Sequence, residues 1–195
     1  MTTTAVRERI LQATVRTLAQ QGFSRTSARA IARTGGFAPG VIYYHFDDLD
    51  DLFVATIRHT SQVRMRRYES ELDDVTSAVE LLRRLRQLYD EDTAEGHIAA
   101  VQELISAAPA SPRLVEQVRT ETGVWQDFAR RTIDRLLSGT LLAGLVPVAQ
   151  LAKAAVATYL GLEMLTHLDP GRTDPHALFD AAAPAAAMLD TTRPD

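Results

Sequence analysis

Cysteine is absent from the 195 residues, which excludes disulfides, thiolate metal sites and thiol nucleophiles. Lysine is nearly absent as well. Lys153 is the one lysine among 21 basic residues, a bias expected of GC-rich coding rather than of mechanism. No run of about 20 apolar residues could span a bilayer, and Met1-Thr2-Thr3-Thr4 leads straight into charged sequence without the apolar core of a signal peptide. A chain away from membranes, in the cytoplasm, is expected. The five histidines, at 45, 59, 97, 167 and 176, show no His-x-x-x-His metal spacing, and no glycine-rich phosphate loop follows a strand. Glu163 and His167 stand four apart on one predicted helix, a spacing that fits an ion pair or a satisfied core pair better than a ligand pair. No catalytic residue, metal or cofactor is therefore expected, and the chain does not read as an enzyme. Strand alternation, internal repeats and low-complexity blocks are missing too, apart from an alanine-rich finish.

What is present is an uneven charge and one informative stretch. Residues 1–46 carry Arg7, Arg9, Arg16, Arg25, Arg29 and Arg33 against Glu8 alone, so a head of +5 sits on a body of −9 within a total of −4. Gly35-Gly36-Phe37-Ala38-Pro39-Gly40-Val41-Ile42-Tyr43-Tyr44-His45-Phe46 reads as a turn and a short helix. Gly36 suits the left-handed conformation that ends a helix, and Pro39 has φ preset for the start of the next. Ile42 and Phe46, four apart, share an inward face; Val41, Tyr44 and His45 fall on the other side, with Gly40 near the start. Tyr43 fits either cover for the neighbouring helix or contact with a partner, and Tyr44 reads as contact. An arginine-rich surface beside an exposed short helix is the footprint of a module that sits on phosphates and probes the major groove of double-stranded DNA.

Apolar spacing of three and four residues predicts helices along the whole chain. Val6, Ile10, Leu11, Val15 and Leu18 mark the first, over 5–21, with Gly22 and Phe23 as a Schellman-type stop. Ser27 is the expected N-cap of a second helix, 28–34, with Ile31 and Ala32 inward and Arg29 and Arg33 outward. With the stretch above this makes a helix–turn–helix inside a three-helix unit. A fourth helix opens at Asp47 or Asp48 and runs to about Leu72, with Leu52, Phe53, Ile57 and Val63 as its buried face and no flexible linker ahead of it. Val75, Val79, Leu82, Leu85 and Leu88 mark a fifth; Ile98, Val101, Leu104 and Ile105 a sixth; Leu114, Val118, Trp125, Phe128, Ile133 and Leu137 a seventh. The eighth, 148–167, is apolar on more than one face, with Ala154, Ala157 and Gly161 along it. It is either buried within the chain or paired, with the ninth, against a second copy as a four-helix bundle; DNA binding favours the pairing, because one half-site discriminates poorly. A loop over 169–175 precedes the ninth helix, which Pro184 should kink or split. Tyr89, Trp125, Phe128, Tyr159, Glu163 and Met164 are the candidates for a small-molecule pocket, although aromatics at helical spacing are more often core.

Ser27-Ala28-Arg29-Ala30-Ile31-Ala32, Gly36 to Phe46, and Leu49-Asp50-Asp51-Leu52-Phe53 together resemble the N-terminal signature of the TetR family of transcriptional regulators, over residues 5–57. The resemblance implies an all-α fold of about nine helices, with a DNA-binding domain at 1–47 and a helical ligand-binding and dimerisation domain at 48–195. It implies that Ser27, Ala28 and Arg29 meet DNA from the second helix. Ala38, Gly40, Val41 and Tyr44 would meet bases or phosphates from the third, with Tyr43 and His45 at phosphates. It also implies a homodimer through the last two helices, released from a palindromic operator by an unknown small-molecule effector. Three positions depart from the family pattern: Ala38 replaces a capping serine, Val41 a threonine, and Leu49 a phosphate-contacting lysine, each removing a polar contact. A helical small-molecule-binding protein with a degenerate DNA head is the alternative they favour.

Overall fold

The computed structural model describes residues 3–140, 142–169, 171 and 174–192. Among them it forms nine α-helices and two short 3-10 turns, with no strand. The helices are α1 (Thr3–Gln21), α2 (Ala28–Gly35), α3 (Gly40–His45), α4 (Leu49–Leu72), α5 (Ala78–Ala94), α6 (His97–Ala107), α7 (Pro112–Leu137), α8 (Val148–Leu168) and α9 (Pro175–Asp190). The expected 169–175 loop falls partly outside the described residues. So does the side chain of His167, and with it the Glu163–His167 pair.

Packing divides the chain elsewhere than at residues 47 and 48. One compact unit is the chain through Arg64 with Asp92–Glu121; the other is Met65–Glu91 with the chain from Thr122 onward. The first unit's core explains the division. Ile10, Leu11, Val15 and Leu18 of α1, Ile31 of α2, Ile42 and Phe46 around α3, and Leu52, Phe53 and Ile57 of α4 form one cluster that also takes in Ala100 and Leu104 of α6 and Leu114 of α7. Helices α4, α6 and α7 thus complete the core of α1–α3, and each fully buried Leu, Ile or Phe contributes about 1.5–3 kcal/mol. Further ties are polar: Phe23 N donates to Glu103 Oε2 at 2.6 Å, and Arg58 donates to Gln117 at 2.9 Å.

Several local expectations change. Gly22 has φ 76° and ψ 167°, so it is not the left-handed stop of a Schellman motif; a 3-10 turn, Phe23–Arg25, follows it, and Phe23 packs its ring 5.1 Å from that of Phe53. Val63 of α4 is half-buried, while the polar Thr56, Thr60, Ser61 and Arg64 of the same helix are buried. Thr56 donates to Leu52 O at 2.8 Å, and Arg64 Nε donates to Asp92 Oδ2 at 2.6 Å. Val75 lies ahead of α5, because Ser77 caps that helix by accepting from Glu80 N.

In the second unit Met65, Tyr68, Leu72, Val75, Leu88 and Phe128 make the core. Here α9 lies antiparallel to α5 and is pinned at three levels: His176 to Asp90 at 3.2 Å, Arg86 to Asp180 at 2.7 Å, and Asp190 accepting from Ser77 Oγ and the amides of Ala78 and Val79. Pro184 does not split α9, which runs unbroken from Pro175 to Asp190. One missing donor in a helix pinned at both ends is tolerated.

Candidate nucleic-acid interface

The α2–α3 segment is set by two glycines. Gly36 has φ 65° and ψ 44°, in the left-handed region, and ends α2. Phe37 N donates to Ala32 O at 3.0 Å and Gly36 N to Arg33 O at 3.4 Å, the paired bonds of a Schellman stop. That motif therefore sits at the end of α2 rather than of α1. Gly35 is required for a different reason, since an added β-carbon would lie 2.0 Å from Phe37 Cε1 and 2.9 Å from Ala13 Cβ. The chain then turns into α3, with Val41 N donating to Ala38 O and Ile42 N to Pro39 O. No side chain caps the N-terminus of α3.

Ile42 and Phe46 are buried, as the four-residue spacing requires. Tyr44 is 81% exposed and Tyr43 56%. His45 is half-buried, with its ring edge-on to Tyr44 at 5.0 Å. Gly40 and Ala38 are exposed, and the space around Gly40 is open. Val41 differs from expectation: next to the buried Ile42 at the start of α3, it is half-buried and packs on the core. On α2, Ser27 caps the helix through a bond accepted from Ala30 N at 3.3 Å. Ala28 turns its methyl into the core, 8% exposed, which leaves only its backbone for a ligand. Arg29 is exposed.

The six arginines of the head fall into two groups. Arg7 stacks over Phe46 at 4.9 Å, Arg9 donates to Gly35 O and Gly36 O, and Arg25 donates to Gln21 O at 2.8 Å. Arg16, Arg29 and Arg33 are exposed and make no side-chain hydrogen bond or ion pair among the described residues. Of the head's six arginines, these three are the ones uncommitted among the described residues. Charge counting along the chain could not separate the groups, since the partners of Arg9 lie 26 and 27 residues away.

Behind α3 the acids have structural work. Asp48 accepts from Asp51 N at 2.6 Å and so caps α4. That bond, helped by the charge of Arg113, holds the Asp48 carboxyl below the usual carboxylate range. Arg113 reaches Asp48 at 3.1 Å and Asp51 at 3.5 Å, and Ser111, the N-cap of α7, donates to Asp50 at 2.6 Å. Leu49 is half-buried and packs on the head core, so its side chain contributes buried area.

The six pocket candidates do not form one cluster. Trp125 and Phe128 meet Tyr68 at 5.0 and 6.3 Å, whereas Tyr89 meets Tyr159 at 6.4 Å and Phe179 at 5.9 Å. Glu163 is buried at 3% exposure. Met164, one residue and 100° further round α8, is 52% exposed and lines nothing inside the unit. Among the described residues no group of three His, Asp or Glu could hold a metal ion, and no helix is long and apolar enough to cross a membrane.

A family model for bacterial regulatory proteins of the tetR family matches residues 10–56. An HTH-type transcriptional repressor of Mycobacterium tuberculosis is 28% identical over 154 residues, 70% of this chain and 81% of that one. An uncharacterized HTH-type transcriptional regulator of Mycobacterium bovis is 24% identical over 115 residues, and the chain spans only 59% of that relative's length. Among solved structures, a transcriptional regulator from Saccharomonospora viridis in complex with choline shares the fold, with a TM-score of 0.76 at 19% identity over 96% of each chain.

Proposed function

We propose that this chain, which belongs to the TetR family of bacterial regulatory proteins, is a repressor that holds a palindromic DNA operator as a homodimer and releases it when a small molecule enters its C-terminal body. The observation that carries the reading is the outward face of α3. Its own packing is satisfied by Ile42 and Phe46, yet Tyr44 stands 81% exposed, and on the preceding helix Arg29 and Arg33 are exposed and uncommitted among the described residues. Tyrosines offer hydrogen bonds and flat area to base edges and sugar–phosphate, and the arginines supply phosphate contacts or a bidentate pairing with guanine. Residues 1–47 do the reading; residues 48–195 supply dimer and effector functions, even though α6 and α7 complete the head's core.

The effector is placed by this reading among Tyr89, Tyr159 and the buried Glu163, where aromatic faces and a carboxylate lie on the inward side of α5 and α8. The choline held by the Saccharomonospora viridis regulator supports a small ligand of this size. Coupling of about 1–3 kcal/mol between effector and DNA is the usual scale.

Selection of duplexes from a random pool tests the proposal. Enrichment of an inverted repeat with half-sites about one helical turn apart is expected. Arg29→Ala should weaken binding to that duplex by roughly 1–3 kcal/mol with fold and dimer intact. A pool that yields no preferred sequence, from a protein that still binds small molecules, favours the degenerate-head alternative.

A further inference from the structure

Arg9 is exposed, yet it is the best-connected side chain of α1, and its hydrogen-bond partners are backbone carbonyls rather than an acid. Its Nε and Nη2 donate to Gly35 O at 3.0 and 2.7 Å, and Nη2 donates also to Gly36 O at 3.0 Å. Its guanidinium lies 5.8 Å from the ring centroid of Phe37. Gly35 O is one of the helix-end carbonyls that the Schellman bonds to Ala32 O and Arg33 O leave over, where the helix dipole favours a cation, and Gly36 O is the next carbonyl along the chain. The planar fork of arginine can take both at once, and a lysine ammonium cannot reproduce that geometry.

The three residues held are those that turn the chain from α2 into α3. Gly36 is the left-handed hinge, and Phe37 is the residue whose ring closes over Gly35. Fixing them fixes the direction in which α3 leaves, and therefore where Tyr43 and Tyr44 point. We infer that Arg9 is a positioning residue for DNA reading: it clamps the α2–α3 turn to α1 and sets the angle of α3, and it is not one of the phosphate contacts that the basic head supplies. The inference rests on the DNA-binding reading above.

The two roles predict opposite outcomes for Arg9→Lys. A phosphate contact survives the change, because a lysine carries the same charge; a clamp does not. With the duplex selected by the wild-type protein, Arg9→Lys should bind about tenfold or more weakly, the scale of losing one base-reading pair. Binding to a shuffled duplex, and the slope of log affinity against log salt, should stay at the wild-type values, because neither depends on the angle of α3 as base reading does. Amide exchange in the absence of DNA should speed up at Gly36 and Phe37 and not at Ile10 or Leu18. Arg9→Lys binding as wild type, with Arg9→Ala lowering the salt slope by about 0.9, overturns the inference and makes Arg9 a phosphate contact. If the wild-type protein selects no duplex, the DNA-binding reading fails; exchange at Gly36 and Phe37 in Arg9→Lys still decides whether Arg9 holds the turn, and wild-type rates there sink the clamp.

Discussion

At Gly35 the obstacle to a side chain is steric, a β-carbon 2.0 Å from the Phe37 ring and 2.9 Å from Ala13 of α1; at Gly36 it is conformational, a φ of +65°. The two neighbouring glycines should therefore respond differently to the same substitutions. Gly36→Ala should lower stability by about 1–2 kcal/mol, the cost of a left-handed alanine. Gly36→Asn should recover part of that, because asparagine visits this region readily and the nearest group is the movable end of Arg9 at 3.3 Å. Gly35→Ala should lower stability by roughly 1–3 kcal/mol through overpacking, and Gly35→Asn should be worse rather than better. Urea denaturation of the four variants gives the ranking. Gly36 more tolerant of alanine than of asparagine would contradict the left-handed assignment. Only one of these glycines could be understood from sequence. The need for a hinge before Pro39 singles out Gly36, whereas the need at Gly35 depends on where Phe37 and Ala13 meet, which spacing along the chain does not reveal.

Helices were legible from the three-and-four spacing of apolar residues, and so α1, α2, α4 and α8 lie close to their expected bounds. What local pattern could not reveal is which helices share a core. The head borrows Ala100, Leu104 and Leu114 from α6 and α7, from 54 residues (Phe46 to Ala100) to 104 residues (Ile10 to Leu114) away along the chain, and residue periodicity carries no information at that range. The same blindness applies to buried polar groups. On α4 an apolar reading selects Val63 and passes over Arg64, yet Arg64 is buried and bonded to an Asp92 of zero exposure. In a low-dielectric setting such a pair adds little relative to apolar residues, but breaking it strands a charge. Asp92→Ala should therefore cost roughly 3–5 kcal/mol, and a double replacement, Arg64→Met with Asp92→Leu, should restore most of it. Denaturant midpoints of the two proteins check this. A single variant that loses less than its double partner would mean that water already reaches Arg64.

At the scale of the molecule, α8 and α9 each carry an exposed apolar side. The inward face of α8 carries Ala152, Val156, Tyr159 and Glu163, while Leu151, Ala154, Ala155, Thr158, Gly161 and Leu165 follow at helical spacing on the opposite side. Leu151 and Leu165 are exposed. On α9 the side away from the α5 pins carries Ala177, Leu178, Ala181, Ala185 and Met188, all exposed. Two apolar stripes of mostly small residues suit close approach of helices from a second copy, which is the homodimer proposed above. Gly161 gives the sharpest test, because a β-carbon there meets nothing within 4 Å in the single chain. Gly161→Leu should leave the monomer's fold unharmed and favour α8 by about 0.8–1.0 kcal/mol of helix propensity. Across a helix pair it would push the backbones apart. Sedimentation at micromolar concentration should therefore show a dimer for the wild-type chain and a monomer for Gly161→Leu, with binding to a two-half-site duplex falling accordingly. Gly123, within α7 and likewise with open space around it, is the control: Gly123→Leu makes the same change of propensity away from both stripes and should remain dimeric. A Gly161→Leu protein that sediments as a dimer would move the interface off α8.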